Sequence, residues 1–185
     1  RTATDRERIL ALGARVWPQR PFTPVSDLET PLAAAGPLPE GTEARVLLLS
    51  GTGSCAYGKA ADGRVVKFGG RGHILGDQGS ASDIALVALR RIVYRHDLRE
   101  QFPPLGHAVL RALQLNHPDD LIPWTQAAQK QEIAALAMTV FAEAREGDEL
   151  AREVLRDAAE KLADMALNCA ARLVAARTRV QFLLA

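Results

Sequence analysis

Cysteine is scarce in this sequence. Its two cysteines, Cys55 and Cys169, are far apart in the chain, and neither belongs to a Cys-x-x-Cys pair or a cysteine–histidine cluster. Zinc and iron–sulfur sites require several such ligands at short spacing, so no metal site of the protein's own is predicted. At most one disulfide is possible. Together with the lack of a secretory signal, this favours a reduced, cytoplasmic protein.

An excess of one charge and a long hydrophobic run are also lacking. The chain has 23 Lys and Arg against 22 Asp and Glu, a formal net charge of +1. This balance does not predict the basic surface with which proteins bind nucleic acid. No apolar run approaches the roughly 18 residues of a membrane-spanning helix, so no membrane partner is expected.

The chain has enough apolar residues to build a core. Of its 185 residues, 48% are hydrophobic and 24% are charged, which is typical of a globular domain. It begins with Arg1, however, and it ends with the apolar run 180–185, which predicts a buried strand at the terminus. We therefore expect the chain to be a piece of a longer protein.

The apolar pattern changes from helical to extended near residue 40. Helices are predicted over 4–17 and 27–35, and the segment 37–41 marks the expected boundary between residues 1–36 and 37–185. The Asp62-Gly63 pair predicts a tight hairpin turn. Strands are predicted over 46–49, 54–60 and 64–68, and later helices over 80–96, 105–115, 132–145 and 148–177. The predicted fold class is α/β, with a three-stranded antiparallel meander followed by helices and a further strand.

A glycine-rich turn, Ser50-Gly51-Thr52-Gly53-Ser54, joins the first two predicted strands. Glycines let the backbone approach a bound group closely, and successive backbone N–H groups in such a turn can hold an anion. The hydroxyls of Thr52 and Ser54 add donors. The pattern predicts a phosphate site, although a plain glycine-rich hairpin turn would have the same composition.

A second glycine-rich segment covers residues 69–80 and leads into a predicted helix. Its five glycines in a short stretch expose backbone groups to a ligand, and Asp77 stands just before the helix. A carboxylate in this place can accept two hydroxyls of a sugar. The alternative is that Asp77 only stabilises the helix N-terminus through the helix dipole.

A third segment, Val25-Ser26-Asp27, ends an extended stretch and begins a short helix. Asp27 is the first residue of that helix and a candidate for a chemical role. The alternative is that Asp27 caps the helix, a common position for Asp.

In this order and spacing, the three segments resemble the N-acetylglucosamine kinase group of the BadF/BadG/BcrA/BcrD ATPases, within the actin-like ATPase and sugar kinase superfamily. Residues 46–54 resemble its second phosphate loop, and residues 69–80 resemble its GGWG…GDEGS sugar-binding stretch. Val25-Ser26-Asp27 resembles the segment with its catalytic aspartate. The resemblance covers nearly all of the chain from Phe22 onward. It implies a ribonuclease H-like, actin-type ATPase lobe, with the end of lobe one in 1–36 and lobe two in 37–185.

The resemblance implies ATP-dependent phosphorylation of an N-acetylglucosamine-like amino sugar at its 6-hydroxyl, with ATP and Mg²⁺ as cofactors. Asp27 matches the general base that takes the hydroxyl proton. The ATP-binding residues are expected to be Gly51, Thr52 and Gly53 at the phosphates and Ala134 at the adenine. The sugar-binding residues are expected to be Ser54, Gly70, Arg71 and Asp77.

The sequence departs from the family pattern in three ways. Arg71 replaces the usual Trp of GGWG, and an arginine beside the sugar could favour an anionic substituent such as a lactyl group. Gln78 replaces the usual acid of GDEGS. The family's first phosphate loop, Asp-Gly-Gly-Gly-Thr, is absent, so we expect a missing lobe-one segment of the parent protein to be needed for turnover.

Two other functions remain open at this point. An activator ATPase of the same superfamily would need bridging cysteines for an iron–sulfur cluster, and Cys55 and Cys169 lack that setting. A non-catalytic sugar-sensing module would keep the sugar segment without turnover. The apolar stripe of the last long helix could also serve a homodimer.

Overall fold

A computed structural model describes residues 3–98 and 101–185, and the chain divides into two compact units. The first unit ends at Pro39 and the second begins at Glu40. The boundary falls within the proline- and glycine-containing segment 37–41. Each unit is described separately below.

The first unit contains helix α1 (Ala3–Val16) and the short helix α2 (Glu29–Ala34). Between them, the ring of Phe22 lies so close to Gly13 that a Cβ there would be 2.2 Å from Phe22 Cδ1. Leu28 and Leu32 are buried. The side chains of Leu12 and Val16 on α1 are 59% and 64% exposed, so these two apolar side chains are not part of a buried core.

The second unit is built on a sheet whose described strands have the order β3-β2-β1-β4. The antiparallel meander is confirmed, with β1 (Ala44–Ser50), β2 (Ser54–Ala60) and β3 (Val65–Gly69). The turn between β2 and β3 forms at Asp62-Gly63, where Asp62 Oδ1 accepts from the amide of Arg64 at 3.0 Å. This amide, and then the Arg64 guanidinium, hold the pKa of Asp62 below its usual value.

The last strand, β4 (Val180–Leu184), pairs in parallel with β1. The expectation of a buried strand was wrong, because β4 forms an edge of the described sheet, where one side has no neighbouring strand to cover it. Its residues are half-buried or exposed, and Leu184 is 79% exposed. A long-range hydrogen bond from Arg45 Nε to Gln181 Oε1, 2.6 Å long, helps to join β4 to β1.

Helices cover the rest of the second unit. They are α3 (Gly72–Leu75), α4 (Ala81–Asp97), α5 (Pro104–Leu113), a 3₁₀ turn (Pro118–Asp120), α6 (Leu121–Ala127), α7 (Lys130–Ala135), α8 (Ala137–Glu146) and α9 (Glu149–Ala171). Local signals set several ends. The hydroxyl of Ser80 caps α4, Gly147 closes α8 with a φ of 102°, and the Asp148 carboxylate caps α9.

Two helix predictions were wrong in their bounds. The helix expected over 132–145 is divided at Leu136, where the amide of Leu136 bonds the carbonyl of Ile133 in a tighter turn. The helix expected to reach residue 177 ends at Ala171. The amide of Leu173 bonds the carbonyl of Ala170, and the Leu173 side chain turns into the core. Among the described helices, none is long and apolar enough to cross a membrane.

The core of the second unit consists of two apolar clusters. One is formed among the helices, and the other lies between the sheet and the C-terminal half of α9. Helix α9 contributes to both, with Leu150, Val154 and Ala158 in the first and Met165 and Cys169 in the second. The apolar stripe predicted for this helix is therefore its buried face.

Candidate functional site

The turn between β1 and β2 is held in shape by its carbonyl groups. The strand register places Ser50 opposite Ser54, and the amide of Gly51 bonds the carbonyl of Gly53 at 2.9 Å. The carbonyl of Gly51 accepts from the amide of Ala81 at 2.9 Å. The carbonyl of Thr52 accepts from Ser82 Oγ at 2.8 Å. The first residues of α4 therefore fix the turn 50–54 through two of its carbonyl groups.

The second glycine-rich segment binds the same turn through two serine hydroxyls. Ser50 Oγ donates to the carbonyl of Gly79 at 3.1 Å, and Ser54 Oγ donates to the carbonyl of Gln78 at 2.7 Å. Two segments that the sequence singled out separately are thus directly hydrogen-bonded. Because Ser54 is buried and its hydroxyl proton is used here, its observed part is to join the two segments.

Asp77 lies at the centre of this junction. Its side chain is buried, and its backbone has a φ of 59°, in the left-handed region that non-glycine residues rarely adopt. Oδ1 accepts from the amide of Ser54 at 3.3 Å. The carboxylate lies flat against Gly53, where a Cβ would come within 2.9 Å of Oδ1. The glycine at position 53 is therefore required by this close approach.

Lys130 is a site residue that the sequence analysis missed. It is the first residue of α7, and its Nζ donates to Asp77 Oδ2 at 2.7 Å. Lys130 and Asp77 are separated by 53 positions in the sequence. No local motif marks a pair at such a distance, so only the packing of α7 against α4 identifies it.

The rest of the glycine-rich segment is anchored on α4 and α9. Asp83 Oδ2 accepts from the amide of Gly79 at 2.8 Å and from Lys161 Nζ at 3.1 Å. A Cβ at Gly79 would lie 2.5 Å from Leu162 Cγ, and φ is 73° at this residue. At this position, close packing and backbone conformation explain the glycine without a ligand.

The outer side of the turn 50–54 is open. Gly51 and Thr52 are exposed, and within residues 3–98 and 101–185 no hydrogen-bond acceptor contacts the backbone amides of Thr52 and Gly53. The carbonyls of Gly51 and Thr52 point to α4, so the turn offers N–H and hydroxyl donors outward. Such an arrangement favours an anion.

Gly70 and Arg71 follow directly on β3. The amide of Gly70 bonds the carbonyl of Ser54 at 3.0 Å, which ties the beginning of the segment to β2. Gly70 and Arg71 are both exposed. The short helix α3 that follows presents Ile74 and Leu75 to solvent, 84% and 81% exposed.

Asp27 belongs to the first unit and is exposed in the turn before α2. The residue at the N-cap of α2 is Leu28, which makes no side-chain cap, and the hydrogen bonds of the turn come from the neighbours of Asp27. Ser26 Oγ accepts from the amide of Leu28 at 3.2 Å, and the Glu29 carboxylate accepts from the amide of Ser26 at 3.1 Å. Asp27 Oδ1 accepts only a hydrogen bond from Ser26 Oγ among the contacts found, at 3.1 Å. Asp27 is therefore not the helix cap.

Ala134 lies on α7, one turn after Lys130, and is buried.

The described residues contain no group of three or more His, Cys, Asp or Glu side chains arranged to hold a metal ion. The site thus brings together Gly51, Thr52, Gly53, Ser54 and Asp77. Gly70 is joined to it through Ser54.

Comparison with known proteins identifies the family. A sequence profile of the BadF/BadG/BcrA/BcrD ATPase family matches residues 32–183, which is most of the chain. The chain belongs to this family. The resemblance found in the glycine-rich segments is therefore confirmed, and so is the α/β fold class that it implied.

Three curated relatives are sugar kinases by name. The chain is 35% identical over 140 residues to the N-acetylmuramic acid/N-acetylglucosamine kinase of Clostridium acetobutylicum, covering 75% of this chain and 44% of the relative. It is 35% identical over 136 residues to the N-acetyl-D-glucosamine kinase of Dictyostelium discoideum, covering 69% and 42%. The third is the glucosamine kinase GspK of Vibrio cholerae, 28% identical over 118 residues, covering 63% and 39%. The chain spans less than half the length of each.

A solved structure shows the same fold. It is a protein of Chromobacterium violaceum assigned as an N-acetylglucosamine kinase, with a TM-score of 0.73 and 24% identity. The match covers 98% of this chain and 61% of that protein. The two proteins therefore share the three-dimensional arrangement of the strands and helices.

Proposed function

We propose that this member of the BadF/BadG/BcrA/BcrD ATPase family forms part of an ATP-dependent kinase for an N-acetylated amino sugar. The observation that supports it best is the hydrogen-bonded junction between the turn 50–54 and the segment around Asp77. One side of this junction offers donors to an anion, and the other offers a carboxylate and exposed backbone to a polar ligand. The names of the curated relatives give the substrate class.

The turn at Gly51, Thr52 and Gly53 is proposed to hold phosphates of ATP. Its outward amides and the Thr52 hydroxyl can donate to phosphate oxygens without rearrangement of the fold. Mg²⁺ bound with ATP would neutralise phosphate charge during transfer. Ala134, on α7, is proposed to lie beside the adenine.

Asp77, Gly70 and Arg71 are proposed to contact the amino sugar, and Ser54 is proposed to support that site. A carboxylate has about four acceptor positions, and the amide of Ser54 and the ammonium of Lys130 use two of them. The other two are proposed to accept sugar hydroxyls, which requires the sugar to reach a carboxylate that is 6% exposed.

Asp27 is proposed to act as the general base for the sugar 6-hydroxyl. In this step the hydroxyl oxygen forms a bond to the γ-phosphorus, the bond between that phosphorus and the leaving ADP oxygen breaks, and the hydroxyl proton passes to the Asp27 carboxylate. An exposed carboxylate that is not used as a helix cap is suited to this role. We further propose that turnover needs the lobe-one segment with the first phosphate loop.

The test is sugar-dependent ADP release by the full-length protein that contains this chain. N-acetylglucosamine, N-acetylmuramic acid, glucosamine and glucose would be compared, and the product's phosphate position determined by NMR. Turnover with an N-acetylated sugar and phosphate on oxygen 6 is the expected result. Sugar binding without ADP release would favour a sugar-sensing module. ATP hydrolysis independent of sugar would favour an activator ATPase.

Arg71 is proposed to set the preference between neutral and anionic sugars. Its guanidinium is exposed at the start of α3 and can pair with a carboxylate such as the lactyl group of N-acetylmuramic acid. We expect Arg71→Trp to lower the kcat/KM ratio of N-acetylmuramic acid to N-acetylglucosamine by about tenfold, the size of one exposed charged contact. An unchanged ratio would contradict this role.

A further inference from the structure

The ion pair between Lys130 and Asp77 connects helix α7 to the second glycine-rich segment. Lys130 Nζ and Asp77 Oδ2 are 2.7 Å apart, and the side chains are 26% and 6% exposed. The backbone of Lys130 is itself fixed, because the Gln129 amide donates to the Glu132 carboxylate at 2.6 Å in a reciprocal cap. The ammonium therefore approaches Asp77 from a rigid helix end.

The position of the Asp77 carboxylate depends on this contact. Its Oδ1 has a long hydrogen bond of 3.3 Å to the amide of Ser54, and Gly53 provides only van der Waals contact. Lys130 is the only cation that the described structure places on this carboxylate. A carboxylate buried without a counter-ion is strongly disfavoured, so loss of the ammonium would turn the side chain toward solvent.

The carboxylate must be in place to accept sugar hydroxyls. We propose that Lys130 is a positioning residue for the amino-sugar site: it holds the Asp77 carboxylate in place against Gly53. Lys130 contacts Asp77, so its proposed effect on the sugar passes through the carboxylate. This inference rests on the proposed function and adds a residue that the glycine-rich motifs do not contain.

The experiment compares Lys130→Met, Lys130→Arg and wild type in the full-length protein, with KM for the sugar, KM for ATP and kcat measured separately. Methionine keeps the length of the side chain and removes its charge, whereas arginine keeps the charge. We expect Lys130→Met to raise the sugar KM about ten- to hundredfold, as for loss of a charged hydrogen bond, with the ATP KM within about twofold. Lys130→Arg should restore most of the sugar affinity.

Arg91→Met is the matched control. Arg91 has a similar exposure of 33% and pairs with Asp157 and Glu153 between α4 and α9, away from the turn 50–54. The Arg91→Met variant should lower the melting temperature to an extent similar to Lys130→Met, and it should leave the sugar KM unchanged. If Lys130→Met does not fold, Lys130→Gln, which keeps a neutral donor, should still show the raised sugar KM.

Three results would overturn the inference. The first is an unchanged sugar KM in a folded Lys130→Met or Lys130→Gln protein. The second is a rise in the ATP KM in place of the sugar KM, which would put the ammonium at the nucleotide. The third is an equal rise of the sugar KM in Arg91→Met. Wild-type protein that neither binds nor phosphorylates an amino sugar would overturn the proposed function as well, and this separates the two failures.

Discussion

At the scale of single residues, the turn before α2 separates two tasks that the sequence could have given to one side chain. Ser26 and Glu29 make the hydrogen bonds that hold this turn, and Asp27 accepts a hydrogen bond from Ser26 Oγ while remaining exposed. The neighbouring side chains can therefore be tested against each other, one for stability and one for chemistry.

We expect Asp27→Asn to lower turnover of the full-length protein by about 10²- to 10⁴-fold, the usual contribution of a general base. The free energy of unfolding should stay within about 0.5 kcal/mol of wild type, because no cap is lost. Ser26→Ala, which removes the hydrogen bond to the amide of Leu28, should show the opposite balance, with about 1 kcal/mol lost from stability. ADP release and urea unfolding measure the two quantities. A large loss of stability in Asp27→Asn would mean that its carboxylate has a structural part.

Gly51 and Gly53 have the same place in the sequence motif, but the structure leaves different amounts of space for a side chain at the two positions. A Cβ at Gly53 would lie within 3.0 Å of the Asp77 carboxylate, whereas one at Gly51 would meet nothing within 4 Å. We expect Gly53→Ala to lower the free energy of unfolding by about 1–3 kcal/mol, the cost of overpacking a fixed site. Gly51→Ala should change it by no more than about 0.5 kcal/mol. Equal losses in urea unfolding would contradict the contact between Gly53 and Asp77.

At the scale of elements, the packing of α9 on the sheet places a thiol in an apolar setting. Cys169 is fully buried, and burial raises the pKa of its thiol to about 11, from 9.0. The folded state then keeps a proton that the unfolded state loses above pH 9. Stability should therefore be unaffected by this group below pH 9 and should fall as the pH rises from 9 to 11.

The predicted loss between pH 9 and 11 is up to about 3 kcal/mol, since each pKa unit corresponds to about 1.4 kcal/mol. Urea unfolding of wild type and Cys169→Ala at several pH values measures it. The variant should be less stable at pH 7, because of the cavity, and should show a smaller decline above pH 9. Parallel curves for the two proteins would contradict the burial of a neutral thiol.

Elements whose ends are set by neighbouring residues were predictable, and those set by distant contacts were not. The meander follows from the apolar run of β1 and the Asp62-Gly63 turn, and the start of α9 follows from Gly147 and Asp148. The early end of α9 depends on Leu173, which packs against the sheet more than 100 residues away in sequence, near Val46 and Gly58. Likewise, the five residues of β4 do not indicate that its parallel partner is β1.

The candidate site shows the same division. The two glycine-rich segments and Asp77 were found from local composition, because close approach and turn formation both select glycine. Lys130 was missed, because a lysine at the start of a helix is an ordinary surface residue until a buried carboxylate from another segment meets it. The binding and catalytic roles proposed for all the site residues stay predictions, those of the glycine-rich segments and Asp77 as much as those of Asp27, Ala134 and Arg71.

At the scale of the whole molecule, the boundary between the two units falls in an exposed segment of the chain. Glu40 is exposed, and both apolar clusters described above are formed by residues beyond it. Brief digestion with a glutamate-specific protease should therefore cut after Glu40 and leave a resistant fragment that begins at Gly41. Mass spectrometry identifies the fragment, and circular dichroism should show a cooperative thermal transition. Digestion of the fragment as fast as it forms would mean that residues 41–185 do not fold without the first unit.

Helix α9 belongs to both apolar clusters, with Leu150 and Val154 in one and Met165 and Cys169 in the other. Because α9 belongs to both clusters, we expect that the sheet cannot unfold while the helical part stays folded. Hydrogen exchange at the central amides of α9 should therefore proceed only through unfolding of the whole second unit. Gly79 packs on the same helix at Leu162. The shape of the glycine-rich segment should thus persist for as long as the folded unit does.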